Sequence, residues 1–431
     1  MGQAVHPFLW GVATSAFQIE GHIENDMTAW ERSGRFRRDG RDPRVGIATD
    51  HWNRWESDFR LLRSLGVNSY RFSIEWARVE PEPGKFDQAA IDQYARMLAR
   101  LREYGIVPMV TLHHFTHPVW FHSLSPWHKE ESIGRFLSFV RAVAKPLLRD
   151  VPLVVTLNEP MVWLLAGYGE GVFPPGIRDL RLLMESLANM LTAHRRAYEV
   201  IRGESPSTQV GIAHNMIVFA RARMGHFLDG KVVKPLRYFY NRMIPETFQT
   251  NRLKFHFPLL LDFDRPVSLN DCVDFWGVNY YYRMHVRFRL NLRRPFEMFY
   301  TPRAGKGQSA LGWEIYPKGL RRVCGWLEFT QKPLYITENG IATNDDSQRV
   351  EFLRDHAEAL EGAIARGYPI RGYYHWSLLD NYEWLHGTSA RFGLYSVRFD
   401  SDLHRLENPS VLWYRHYIRE QHLLAAEASA S

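Results

Sequence analysis

The chain has 431 residues, 45% of them hydrophobic and 23% charged, a balance that excludes disordered and collagen-like classes and suffices to bury a large core. Fifty-four Lys and Arg against 47 Asp and Glu leave a formal charge of +7, modest over this length and no sign of a nucleic-acid partner. The two cysteines, Cys272 and Cys324, sit in apolar stretches outside any Cys-x-x-Cys pair; they signal neither a disulfide framework nor a zinc knuckle and fit a reducing compartment.

From the start of the chain, Met1 to Val12 has no basic region ahead of an apolar run, and no stretch reaches about 20 consecutive apolar residues, so a soluble cytoplasmic protein is expected. Short β-branched or aromatic runs bounded by turn residues predict strands at 8–13, 67–72, 106–113, 151–158, 209–214, 275–280, 334–338 and 370–376. Helix-period segments lie between several of them. The clearest is 87–104, where Ile91, Tyr94, Leu98 and Leu101 recur at helical spacing before Gly105.

Apolar strands alternating with helices demand a parallel sheet covered by helices. Eight such units without an internal linker predict an α/β fold, a closed (β/α)8 barrel forming one domain over 1–424, with 425–431 as a flexible tail. A doubly wound open sheet is the alternative, but the nearest glycine-rich string, Gly167-Tyr168-Gly169-Glu170-Gly171, follows no strand in the way a dinucleotide loop requires.

In such a barrel the chemistry sits at the C-terminal strand ends. The fourth strand runs into Asn158-Glu159-Pro160 and the seventh into Glu338-Asn339-Gly340. Either glutamate alone reads more readily as a loop carboxylate or a salt-bridge partner; the pair is less easily dismissed. The other ends supply Arg71, His113-His114, Asn279-Tyr280-Tyr281 and Trp376, with Gln18 just after the first strand. Amides, imidazoles and carboxylates can pair with ring hydroxyls, and an indole face can pack on the C–H face of a pyranose. Two carboxyls among such groups point to glycoside hydrolysis. Gln18 by itself also suits a satisfied core amide. His113, His114 and His117 invite a metal reading, but their faces alternate and no Cys or carboxylate stands near them in sequence. His114 is therefore assigned to a sugar hydroxyl and His113 to the barrel wall; no metal and no cofactor are expected.

These residues stand in ordered motifs: Phe8-Leu9-Trp10-Gly11-Val12-Ala13-Thr14-Ser15-Ala16 with Gln18-Ile19-Glu20-Gly21, then Tyr70-Arg71-Phe72-Ser73-Ile74, Thr156-Leu157-Asn158-Glu159-Pro160 and Ile336-Thr337-Glu338-Asn339-Gly340. Together they resemble the family 1 glycoside hydrolases, retaining β-glycosidases on a (β/α)8 barrel, over nearly the whole chain. The resemblance implies Glu159 as acid/base and Glu338 as nucleophile. It implies that Gln18, His114, Asn158, Glu383 and Trp384 hold the glycone hydroxyls, with Trp376 as stacking platform. Tyr281 would stand beside the nucleophile, Phe392 would line the substrate site, and Arg71 and Asn279 would support it. The usual His-Trp-Asp-Leu-Pro string is replaced by His114-Phe115-Thr116-His117-Pro118, so Phe115 keeps an aromatic wall but loses an indole N–H. Glu383-Trp384 match members that act on unphosphorylated sugars.

The expected partner is thus a small glycoside or oligosaccharide whose terminal β-linked sugar, β-D-glucose in the first place, is removed by double displacement. A transglycosidase differs only in its acceptor, and a non-catalytic sugar-binding module on the same fold is the rival from another class. Finally, 283–306 mixes Arg283, Arg287, Arg289, Arg293, Arg294, Arg303 and Lys306 with Phe288, Leu290, Phe296, Phe299 and Tyr300. As a loop after the sixth strand it should border the aglycone subsite, suiting an amphiphilic or anionic aglycone or a membrane surface; the plainer alternative is a solvated loop.

Overall fold

The computed structural model describes residues 8–36, 44–257, 261–269, 271–291, 296–300 and 307–430, with side chains through 425. Eight parallel strands close into a barrel in chain order: β1 (Leu9–Ala13), β2 (Ser69–Ser73), β3 (Val107–His113), β4 (Leu153–Asn158), β5 (Gln209–Asn215), β6 (Phe275–Asn279), β7 (Leu334–Asn339) and β8 (Ile370–Trp376). Every expected strand is present, with ends moved by two residues or fewer. A closed barrel leaves no open sheet, and the glycine-rich string follows the helix Pro160–Leu164 instead of a strand.

Residues point alternately into the lumen and out to the helices, and both faces are buried, which is why these strands read as continuous apolar runs. Leu9 and Ala13 join Met109, Leu153, Val155 and Phe275 inside, while Trp10 and Val12 join the outer core. Gly11 falls on the crowded inner face of β1, where a Cβ would stand 2.5 Å from the Tyr374 ring. The expected helix runs Gln88–Glu103, with the Asp87 carboxylate accepting from the Ala90 N–H and Ile91, Tyr94, Leu98 and Leu101 all buried.

Register shifts interrupt β4 between Val155 and Asn158, and β7 between Ile336 and Glu338. Irregularities of this kind re-aim side chains beside functional sites, and here they lie immediately ahead of the two glutamates. Gly340 follows the second of them, packed so that a Cβ would meet the Trp376 carbonyl oxygen at 1.8 Å.

The long βα connections build an outer layer. Val218–Arg221, Arg283–Phe288 and Phe296–Phe299 form a three-stranded sheet, and Arg252–Phe257 pairs with Leu261–Pro266 in a hairpin. The described residues of 283–306 are therefore largely strand. Its described arginines are engaged: Arg283 pairs with Glu314 through two N–H donors, and Arg289 pairs with Glu297. Arg293, Arg294, Arg303 and Lys306 lie outside the described residues. The last helix, Pro409–Ala430, includes most of the stretch expected as a tail. Among the described residues no helix is long and apolar enough to cross a membrane.

Candidate active site

The ends of β2, β4, β6 and β7 bring Arg71, Asn158, Glu159, Asn279 and Glu338 into one buried network. Arg71 is its hub. The guanidinium donates to Glu338 Oε1 at 2.6 Å and to Asn158 Oδ1, and Asn158 Oδ1 also accepts from Asn279 Nδ2 at 3.2 Å. The Tyr281 hydroxyl donates to the other Glu338 oxygen at 2.6 Å. Burial and the adjacent Glu338 charge hold that phenol well above its ordinary pKa, so it remains a donor. Glu338 is thus gripped by a cation on one side and a hydroxyl on the other.

Glu159 is held differently. Its Oε1 accepts from the neutral amides of Asn279 at 2.7 Å and Asn215 at 3.0 Å. Burial, reinforced by the Glu338 charge, pushes its carboxyl up to about 8. Its backbone sits in the left-handed region at φ 44°, an uncommon conformation for a residue with a side chain. Pro160 then starts the short helix Pro160–Leu164, so Glu159 stands at a strand–turn–helix junction.

Around this pair lie the other expected residues. Gln18 donates through Nε2 to Glu383 at 3.0 Å and to Asn381 at 3.1 Å, and its carbonyl accepts from the Ser15 hydroxyl at 2.6 Å. It is therefore well satisfied within the protein and orients Glu383, a half-buried carboxyl that desolvation and the Glu338 charge push up to about 8. His114 Nε2 pairs with the Asn158 amide at 3.3 Å, while its buried Nδ1 has no partner among the described residues. Burial keeps the imidazole neutral, its pKa well below the usual value, so Nδ1 carries a proton free for a hydroxyl. The ring lies nearly parallel to Trp376 and Trp384, with interplanar angles of 17° and 8°. Phe115 packs against Trp384 at 4.9 Å in place of an indole. Phe392 is buried beside Tyr281 and Trp313, with ring centroids 6.1 Å from each.

His113 faces outward as expected, edge-on to Trp127 and Trp163. Its neighbour in the fold was not legible in sequence: His117 Nδ1 and His122 Nε2 each lie 2.8 Å from Asp26 Oδ2, so a carboxylate does stand beside the histidines, delivered from far along the chain. These three residues are the described cluster with metal-ligand chemistry. Their spacing is that of hydrogen bonds, and His117 Nε2 is itself 2.8 Å from His113 and from the Trp127 indole N–H. They form a structural polar network behind β3. Asn215 is the functional residue that sequence reasoning missed: the expected fifth strand stopped at residue 214, one short of the amide that holds Glu159. Tyr240, which donates to Asn215 Oδ1 at 3.1 Å, lies on a helix in a βα connection and had no local signal.

Comparison with known proteins agrees with this geometry. Residues 3–423 match the profile described as glycosyl hydrolase family 1. Beta-glucosidase A of Thermotoga maritima is 32% identical over 96% of this chain and 98% of that protein. A bifunctional beta-D-glucosidase/beta-D-fucosidase of Bifidobacterium breve is likewise 32% identical, over 96% and 97%. Among solved structures, the beta-glycosidase from Pyrococcus horikoshii superimposes with a TM-score of 0.88 at 36% identity, covering 96% of this chain and 94% of that one. The Thermotoga maritima beta-glucosidase in complex with glucoimidazole gives 0.87 at 30% identity, over 96% and 98%. With its closed eight-stranded barrel and paired glutamates, the chain is a glycosidase and belongs to glycosyl hydrolase family 1.

Proposed function

We propose that this glycosidase removes terminal β-D-glucosyl groups from unphosphorylated glycosides by retaining double displacement, with Glu338 as nucleophile and Glu159 as acid/base. The observation that carries the assignment is the contrast in partners. The carboxyl held by the Arg71 cation and the Tyr281 hydroxyl is the attacking group, and the one held by neutral amides and pushed up to about 8 is the proton donor. Glu338 forms a bond to the anomeric carbon as the glycosidic bond breaks and Glu159 gives its proton to the departing oxygen. Glu159, now a carboxylate, takes a proton from water, whose oxygen displaces Glu338 and restores both groups. The sugar is held by His114, Asn158, Glu383 and Trp384 over the Trp376 face. Gln18 acts chiefly by fixing Glu383. Gln18 and Glu383 offer hydroxyl partners and no positive charge for a phosphate.

Glucose as the glycone is supported by relatives that bear the name beta-glucosidase. The same proposal takes 1–424 as one catalytic domain at work in the cytoplasm, in keeping with two cysteines that are free and buried. A panel of nitrophenyl β-glycosides tests it. β-Glucoside turnover should exceed galactoside and fucoside turnover, and the first-formed sugar should keep the β configuration. A first-formed α-sugar would refute the retaining route.

A further inference from the structure

Tyr240 stands away from the strand ends yet reaches Glu159 through one amide. The helix Phe227–Arg237 opens into a wider π turn over Tyr238–Arg242, a distortion frequent at functional sites. Two neighbours on that turn grip the chain around the end of β5. Asn241 Oδ1 accepts from the Ile217 N–H and its Nδ2 donates to the Ile217 carbonyl, both at 2.9 Å, while the Tyr240 hydroxyl donates to Asn215 Oδ1 at 3.1 Å. The Tyr240 ring packs edge-on against Phe219, in the wall of an apolar cavity of about 530 Å³ that Phe115, Glu383 and Trp384 also line. Burial and the Glu159 charge hold this phenol well above its ordinary pKa, so the hydroxyl keeps its proton and remains a donor.

The amides around Glu159 have set directions. A guanidinium only donates, so the Asn158 oxygen faces Arg71, and that same oxygen accepts from Asn279 Nδ2. Asn279 Nδ2 therefore also points at Glu159 Oε1, at 2.7 Å, while the Asn279 oxygen accepts from the Thr337 hydroxyl at 2.6 Å. For Asn215 the corresponding partner is the Tyr240 hydroxyl. Resting on the reading of Glu159 as acid/base, we infer that Tyr240 is a positioning residue for the acid's proton: it turns Asn215 so that both amides donate to Oε1, which leaves the proton on Oε2 for the departing oxygen. An oxygen that already faces two N–H hydrogens is a poor seat for a third. Turned over, Asn215 would set its own oxygen against the ionised carboxylate and leave the Tyr240 proton without that acceptor. Once the hydroxyl is removed, the turned-over amide can accept from a proton on Oε1, which draws the proton away from the leaving group.

The test compares wild type, Tyr240→Phe, Asn215→Ala and the double variant on two substrates: methyl β-D-glucoside, whose aglycone needs protonation, and dinitrophenyl β-D-glucoside, whose aglycone does not. Tyr240→Phe should lower kcat/KM for the methyl glucoside about three- to tenfold, the size of one neutral hydrogen bond, and leave the dinitrophenyl glucoside within about twofold. Its alkaline limb should move up by about half a pH unit, because the turned-over amide favours the protonated acid. Glu338, Glu383, Arg71 and the phenols of Tyr281 and Tyr282 also act at Glu159. All are retained in the variant, so the shift reports the amide. The double variant should be no slower than Asn215→Ala. Thermal melting reports folding, and Tyr240→Met, which also lacks the hydroxyl, repeats the comparison if the Phe variant melts early. Unchanged kinetics in Tyr240→Phe, equal losses on both substrates with an unmoved limb, or losses that multiply in the double variant would each overturn the inference. If Glu159→Gln slowed both glucosides alike, the acid/base reading itself would fall.

Discussion

The ends of β4 and β7 are built alike and finished differently. Each is a buried apolar strand with a register shift just before its terminal glutamate. At β7 the shift delivers Glu338 to a guanidinium and a phenol; at β4 it delivers Glu159 to two carboxamides. On the proposed reading, one barrel gives identical side chains opposite duties through burial and partners together. The lesson is that acid and nucleophile are assigned by surroundings, since residue type cannot distinguish them.

The largest effect should come from breaking the β7 end. Glu338→Gln leaves no group able to form the glycosyl-enzyme, so kcat should fall by at least about 10³-fold on every substrate, activated or not. At the β4 end the loss should depend on the leaving group. Glu159→Gln should slow the release of alkyl or sugar aglycones by about 10²- to 10⁴-fold, while a dinitrophenyl glycoside should still give a burst of phenol because it departs without protonation. Equal losses on both substrate types in stopped-flow assays would contradict the division of labour.

Arg71→Met sharpens the comparison by removing the cation that pairs directly with Glu338 and not with Glu159. The Arg71–Glu338 pair is almost wholly buried, with side chains 1% and 5% exposed. Leaving the carboxylate alone should cost about 3–5 kcal/mol in chemical denaturation, in addition to reduced turnover. Asn215→Ala should have the mildest effect, visible in the pH profile. Glu159 works as an acid while protonated, so kcat/KM should decline as pH rises through about 8. The Asn215 hydrogen bond lowers that carboxyl's pKa. Without it the declining limb should move to higher pH, and a downward move would show that the amide does not act on Glu159.

Much of this organisation was legible because it is local. Short β-branched or aromatic runs bounded by turn residues marked all eight strands, and the polar residues that end them placed Arg71, Asn158, Glu159, Asn279 and Glu338. What was not legible depends on distant contacts or on a single residue of register. Asn215 fell just past the expected end of its strand. Asp26 meets His117 from 91 residues away along the chain. The apolar cavity is assembled from several βα connections, so 283–306 read as a basic and apolar loop, whereas most of its described residues form sheet, and Met284, Phe296, Met298 and Tyr300 line the cavity wall. Phe115 was noted as an aromatic substitute, but its contact with Trp384 and its place in that wall came only with the fold.

The central claim, that Glu338 and not Glu159 bonds to the sugar, is tested most directly by trapping the intermediate. A β-glucoside carrying fluorine at C2 and a fast leaving group should glycosylate the enzyme faster than water can release it, because the electronegative substituent destabilises the cation-like transition states of both steps while the good leaving group speeds only the first. Mass spectrometry of the intact protein followed by peptide mapping should show one fluoroglucosyl group, placed on the peptide that contains Glu338. A label on Glu159, or turnover of the chain's substrates with no covalent species at all, would contradict the account.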